Sequence, residues 1–134
     1  RGYKKEKVAN YLEEQGYIIA PITIDSLDFK FNQSLYRIPY SIRKHEKNLN
    51  HFRDRYLRYI WSQTLRAERK SLKLGMPDES QILLLHANLV NSFFLDDILQ
   101  MYKDKGYKFV SLEQALNSEP LKIKAFIDKY TQCL

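Results

Sequence analysis

The run Gln81-Ile82-Leu83-Leu84-Leu85-His86-Ala87-Asn88 constrains this chain more than any other stretch. Four consecutive branched aliphatics between polar residues predict a short strand buried on both faces, as central strands of parallel sheets are. The run ends on a histidine. In parallel α/β folds the C-terminal ends of strands gather ligands and reactive side chains, because the loops there open onto one face. That placement makes His86 a site candidate.

A second apolar run, Tyr17-Ile18-Ile19-Ala20-Pro21-Ile22-Thr23-Ile24, predicts another buried strand, with Pro21 removing one ladder donor and pointing to a sheet edge or a bulge. It ends on Asp25-Ser26-Leu27-Asp28-Phe29, so two carboxylates and an aromatic stand where His86 stands after its own strand. A third, shorter strand is predicted over Tyr107-Lys108-Phe109-Val110.

Helical patterns fill the intervals. Lys4 to Gln15 places Val8, Ala9, Tyr11 and Leu12 on one stripe, with Gly16 as the C-cap. Asn32 to about Leu74 reads as helix in two pieces broken near Pro39. On the second piece Leu49, Phe52, Tyr56, Ile60 and Ala67 share one side, and Arg55, Arg58, Arg66, Arg69 and Lys73 share the other. After a turn at Gly75-Met76-Pro77-Asp78 and the strand that ends at His86, Asn91 or Ser92 is expected to cap a helix running to about Lys105. Phe94, Leu95, Ile98, Leu99 and Tyr102 form its buried face, and Gly106 is its stop. Ser111 is expected to cap one helical turn with Glu113 and Gln114 close behind, and a last helix after Pro120 carries Ile123, Phe126, Ile127 and Tyr130.

Strands alternating with helices imply parallel strands joined by right-handed crossovers. Parallel strands end on one face, so Asp25, Asp28, Phe29 and His86 are expected on a common rim although about sixty residues separate the two strand ends. Three strands make a poor independent sheet. Either the sheet keeps an unpaired edge, or strands upstream or an oligomer cover it.

Length and charge narrow the classes. At 134 residues the chain is read as a single partial domain, 1–134, with room for one core but not for a complete eight-stranded barrel. It opens on Arg1 directly in a helical pattern and is expected to be part of something longer. A net charge of +6, from 22 Lys and Arg against 16 Asp and Glu, favours anionic partners but is also ordinary for a soluble domain. The basic stripe of the long helix reads either as a phosphate- or polymer-binding face or as the solvated side of an amphipathic helix. Its aromatics Tyr59 and Trp61 fall mostly in the apolar arc, so no nucleic acid is expected. A lone cysteine, Cys133, excludes an intrachain disulfide and a Cys-rich zinc site. No apolar run reaches about 18 residues, so no membrane span is expected.

A carboxylate within reach of an imidazole fixes its tautomer and lets it act as a general acid near neutral pH. The plainer alternatives are a histidine hydrogen-bonded at a strand end without chemistry, and an Asp pair serving a turn or a helix cap. His45 and His51 are read as surface residues. The rim holds one His and two Asp, with no second histidine at helical or strand spacing, so no metal site is expected in this stretch. There is no glycine-rich phosphate loop, no Gly-x-Ser-x-Gly and no cysteine nucleophile near His86.

Ile22-Thr23-Ile24-Asp25-Ser26-Leu27-Asp28-Phe29, then Ile82-Leu83-Leu84-Leu85-His86-Ala87-Asn88, then Tyr107-Lys108-Phe109-Val110-Ser111-Leu112-Glu113-Gln114-Ala115-Leu116 occur in that order. Together they resemble the C-terminal half of the polysaccharide deacetylase family (NodB-homology, carbohydrate esterase family 4), over nearly the whole chain up to about Leu116. The resemblance implies an α/β fold, the C-terminal portion of a distorted (β/α)7 barrel. That portion has few parallel strands, with a long helical insertion between the second-last and last motif strands. It also implies hydrolysis of N- or O-acetyl groups on an acetylated carbohydrate, with a divalent metal, usually zinc, in the full-length protein. By the same resemblance His86 matches the general acid, Leu84 the leucine lining the acetyl pocket, and Asp28 the carboxylate that helps position the partner arginine of the catalytic base. Phe29 stands where the family usually has Trp, and Asp25 opens the same substrate-side segment. The family's Thr-Phe-Asp-Asp and His-x-x-x-His segments, which carry the base and the metal ligands, have no counterpart here. The chain alone is accordingly expected to bind no catalytic metal and to hydrolyse nothing. An extracytoplasmic or envelope location is suggested by the resemblance only. The alternatives are a non-catalytic module holding an acidic polymer or nucleic acid on the basic helix face, and an inactive homologue whose parent also lacks the metal segments.

Overall fold

Ile24 pairs with Leu83 and Asp25 with Leu84 in a parallel ladder of two short strands, β1 (Ile24–Asp25) and β2 (Leu83–Leu84). In this computed structural model, which describes residues 2–116, the other described residues are mostly helical. The Thr23 and Ile24 amides both donate to the Ile82 carbonyl at 3.0 Å, and Thr23 Oγ1 accepts from the Ile82 amide at 2.8 Å. Further along, Ser26 Oγ donates to the Leu84 carbonyl at 2.8 Å, and the Val90 amide donates to Asn32 Oδ1 at 3.0 Å. Two strand-loop-helix segments thus run side by side in nearly constant register, β1 into α2 (Asp28–Tyr36) and β2 into α5 (Leu89–Asp104).

The strands are shorter than the apolar runs predict. Tyr17, Ile18, Ile19 and Ile22 stay exposed, because only the last residues of that run find a ladder partner among the described residues. Ile82 to Leu85 are half-buried rather than buried on both faces. In a two-stranded ribbon each strand has a neighbour on one edge only. The strand predicted over 107–110 forms no ladder among the described residues; Phe109 and Val110 are exposed, and Tyr107 packs edge-on against Tyr102 with centroids 5.3 Å apart.

Helix α1 (Gly2–Glu14) ends as its sequence predicts, with Gly16 at φ +78° and the Tyr17 amide bonded back to the Leu12 carbonyl. Its apolar stripe does not dock among the described residues, for Val8 and Tyr11 are exposed.

The helical insertion begins four residues earlier than expected. Leu27 takes a left-handed conformation (φ 47°, ψ 31°) and turns the chain into α2 at once after Ser26. Pro39 breaks the helix as predicted, but a second break follows. The insertion comprises α2, α3 (Tyr40–Arg43), a 3-10 turn (Glu46–Leu49) and α4 (Asn50–Lys73). On α4 and its lead-in the predicted faces hold: Leu49, Tyr56, Ile60 and Ala67 are buried, Phe52 is half-buried, and Arg55, Arg58, Arg66, Arg69 and Lys73 are exposed.

On α5 the buried face is Val90, Asn91, Phe94, Ile98 and Tyr102, while Leu95 is exposed. The cap is Asn88 rather than Asn91 or Ser92. Asn88 leaves the strand in an extended conformation and its side chain accepts from the Asn91 amide at 3.1 Å. Ser111 and Gln114 cap α6 (Leu112–Leu116) reciprocally, at 3.1 and 3.0 Å. The helix predicted after Pro120 lies outside the described residues.

Leu35 from α2, Leu49, Tyr56 and Ile60 from the α4 arm, and Val90, Phe94, Ile98 and Tyr102 from α5 form one core. Each such buried side chain contributes about 1.5 to 3 kcal/mol of transfer free energy. Phe31 seals it against Tyr56, with ring centroids 4.7 Å apart. The strand-loop junctions sit on the edge of this core, so their positions are fixed by three packed helices rather than by the small sheet. No helix among the described residues is long and apolar enough to cross a membrane.

Candidate active site

Parallel register sets Asp28, three residues after Asp25, opposite His86, two residues after Leu84. The left-handed Leu27 makes this possible by pointing the first residue of α2 back toward the sheet. Around it, Ser26 Oγ accepts from the Asp28 amide at 3.3 Å while donating to Leu84. Asp28 is 1% exposed, although a carboxylate is rarely buried without partners.

Its partners are specific. Asp28 Oδ2 accepts from the His86 amide at 2.6 Å and from Asn91 Nδ2 at 2.7 Å, and Oδ1 lies 2.7 Å from His86 Nδ1. Asn91 Nδ2 also donates to the His86 carbonyl at 2.8 Å, and Asn91 Oδ1 accepts from the Tyr56 hydroxyl at 2.8 Å. Burial alone would push the Asp28 carboxyl up. The His86 amide, the His86 ring and the Asn91 amide together outweigh burial and hold it below the usual carboxylate value. Burial, and then the Asp28 charge, push the Tyr56 hydroxyl well above its ordinary range, so it stays a donor.

An ionised carboxylate offers no hydrogen, so Nδ1 of His86 carries the proton in this pair. The tautomer is thereby fixed, with Nε2 free to carry or accept a second proton. The ring keeps 55% of its side-chain surface exposed, while the carboxylate that orients it is buried. A buried, oriented base partner beneath an open imidazole is the arrangement that proton transfer requires.

The remaining expected site residues are placed less intimately. Asp25 is exposed, and its Oδ1 accepts from the Leu27 amide at 2.9 Å, so its carboxylate closes the turn that leads to Asp28. Leu84 is the register partner of Asp25, and its side chain is half-buried. Phe29 follows Asp28 and is 46% exposed, with Lys30 Nζ 5.9 Å from its ring centroid. The role that the family resemblance gives Asp28, positioning an arginine, has no counterpart in its contacts. Among the described residues no arginine pairs with it, and its charge is spent on His86 and Asn91. His45 and His51 are exposed, as read from sequence.

Sequence reasoning missed Asn91, Tyr56 and Ser26. The available signal was a polar residue, Asn91, standing in register with the buried stripe Phe94, Ile98 and Tyr102. A buried tyrosine on α4 likewise implies a partner for its hydroxyl.

Among the described residues no three His, Cys, Asp or Glu side chains come together as a metal site. The rim brings together one imidazole and one buried carboxylate, with the Asp25 carboxylate engaged by the Leu27 amide, a set too small for a zinc centre. Two clefts lie elsewhere, one of about 490 Å³ between α4 and α5 beside Arg53, Asp97 and Asp104, and one of about 420 Å³ beside Leu65, Arg69 and Leu72. No family model matches this chain, and neither a search of curated proteins nor one of solved structures finds a match to it.

Proposed function

We propose that this chain supplies the general-acid part of the active site of a metal-dependent polysaccharide deacetylase, acting on N- or O-acetyl groups of a carbohydrate. The observation that carries the reading is the Asp28–His86 pair, a buried carboxylate fixing the tautomer of a half-exposed imidazole. In this reading protonated Nε2 gives its proton to the departing amine or alkoxide as the bond to the acetyl carbon breaks. Asp28 stabilises the imidazolium before the transfer. Leu84 lines the acetyl pocket, and Phe29 and Asp25 border the sugar. The parent fold is a distorted (β/α)7 barrel, of which β1, β2 and their helices are the C-terminal portion.

The base and metal segments of such enzymes have no counterpart in this sequence. The 134 residues alone are therefore proposed to hold no catalytic metal and to release no acetate. Acetate release from an acetylated sugar oligomer tests the reading in two parts. The chain alone should give none. A protein in which this chain follows the base and metal segments should be active, and His86→Gln should lower its rate by about 10² to 10⁴. Hydrolysis by the chain alone, or full activity of the His86→Gln enzyme, would overturn the proposal.

A further inference from the structure

We infer that the helical insertion carries an oxyanion-binding site for an acidic glycan, built on Arg43 between Tyr36 and Tyr40. The inference rests on the carbohydrate reading above and names the substrate class. The Arg43 guanidinium carbon lies 5.1 Å from the Tyr36 ring centroid and 5.9 Å from that of Tyr40. The break at Pro39 produces this cage, because it ends α2 at Tyr36 and starts α3 at Tyr40, folding the two rings toward one cation.

Arg43 is half-buried, and no carboxylate among the described residues pairs with it. A partly desolvated cation without a counter-ion is unfavourable until an anion arrives. The rings lie beside the guanidinium, whose fork matches the two oxygens of a carboxylate or phosphate. Both rings remain open to solvent, Tyr36 at 59% and Tyr40 at 73%, and offer apolar faces to sugar rings beside the anion. Between Tyr36 and Lys47 the sequence has Arg37, Arg43, Lys44 and Lys47 against Glu46 alone.

The site fits a glycan better than a nucleic acid. One caged arginine addresses one oxyanion, whereas nucleic acid binding needs a track of phosphate contacts. On α4, Arg58 and Arg69 donate their Nε–H back to the Asp54 and Leu65 carbonyls of their own helix, which turns part of their donor set away from a partner. Tyr36 stands eight residues along α2 from Asp28, about 12 Å at 1.5 Å per residue, so a short run of sugar units could join the two sites.

Affinity electrophoresis of the chain tests this, with gels holding polygalacturonate, a poly(glycerol phosphate), a neutral acetylated glycan or duplex DNA. Either acidic glycan should retard the chain about tenfold more strongly than the neutral one, and which of them does so distinguishes carboxylate from phosphate. Arg43→Gln and Arg43→Lys should both lose that retardation, the second because lysine keeps the charge without the fork. Arg58→Gln should keep it, and unchanged circular dichroism and melting verify that the variants fold. Retardation of Arg43→Lys equal to that of the parent chain, equal retardation by the neutral glycan, or tighter binding of DNA would overturn the inference. The readout is independent of acetate release, so failure here and failure of the deacetylase reading are separately visible.

Discussion

The Tyr56 hydroxyl donates to Asn91 Oδ1 at 2.8 Å, and this one bond between α4 and α5 decides which way the Asn91 amide faces. With Oδ1 held by Tyr56, Nδ2 is turned to Asp28 and to the His86 carbonyl. Tyr56→Phe should leave a buried acceptor without its donor and lower stability by about 1 to 3 kcal/mol in urea unfolding. It should also let the amide rotate, which NMR would show as a broadened or shifted Asn91 side-chain signal. Unchanged stability and an unchanged amide signal would refute this account of the network.

Stability should depend on Asp28 at acid pH. Burial raises its carboxyl and the His86 and Asn91 donors more than offset that, so the folded value lies below the unfolded 3.8. As pH falls, the unfolded chain takes up the proton first. The contribution of Asp28 is therefore complete above about pH 4 and is lost as pH falls through the folded value. The urea midpoint of the parent chain minus that of Asp28→Asn should shrink as pH falls below about 4. A difference that grew on acidification would reverse the sign of the shift.

Ser26 serves both strands, donating to Leu84 and accepting from the Asp28 amide. Ser26→Ala should cost about 1 to 3 kcal/mol through the unpaired Leu84 carbonyl. It should also speed hydrogen exchange at the His86 amide, whose acceptor is Asp28.

The basic face of α4 should be expendable for folding. Reversing the exposed Arg58, Arg66 and Arg69 to Glu should change stability by no more than about 0.5 kcal/mol per site and leave acetate release by a complete enzyme nearly unchanged. Loss of a salt-dependent interaction without loss of activity would favour the interaction-module reading instead.

The convergence of Asp28 and His86 was legible in the sequence, because parallel strands must end on one face whatever their length. The extent of the strands was not. Ladder length depends on what pairs with an apolar run, and Tyr17 to Ile22 carry the same β-favouring residues whether paired or bare. The start of α2 was also hidden, since Leu27 lacks the side-chain acceptor that marks a helix cap and enters through an unusual left-handed turn. Asn91 shows the limit most clearly. Its local pattern suits a cap, while its partners Tyr56 and Asp28 lie 35 and 63 residues away, and periodicity carries no information over such distances.

The nearly constant register between the two strand-loop-helix segments has a kinetic consequence. Thr23 with Ile82, Ser26 with Leu84, Asp28 with His86 and Asn32 with Val90 all span 58 or 59 residues. Closing a loop of that length carries an entropy penalty of roughly 3 to 4 kcal/mol, and the first of these contacts bears it for all the others. The helices, whose contacts are local, can form early. The dyad should then assemble late and as a unit, so that mutations in any of these pairs chiefly accelerate unfolding and leave the folding rate little changed.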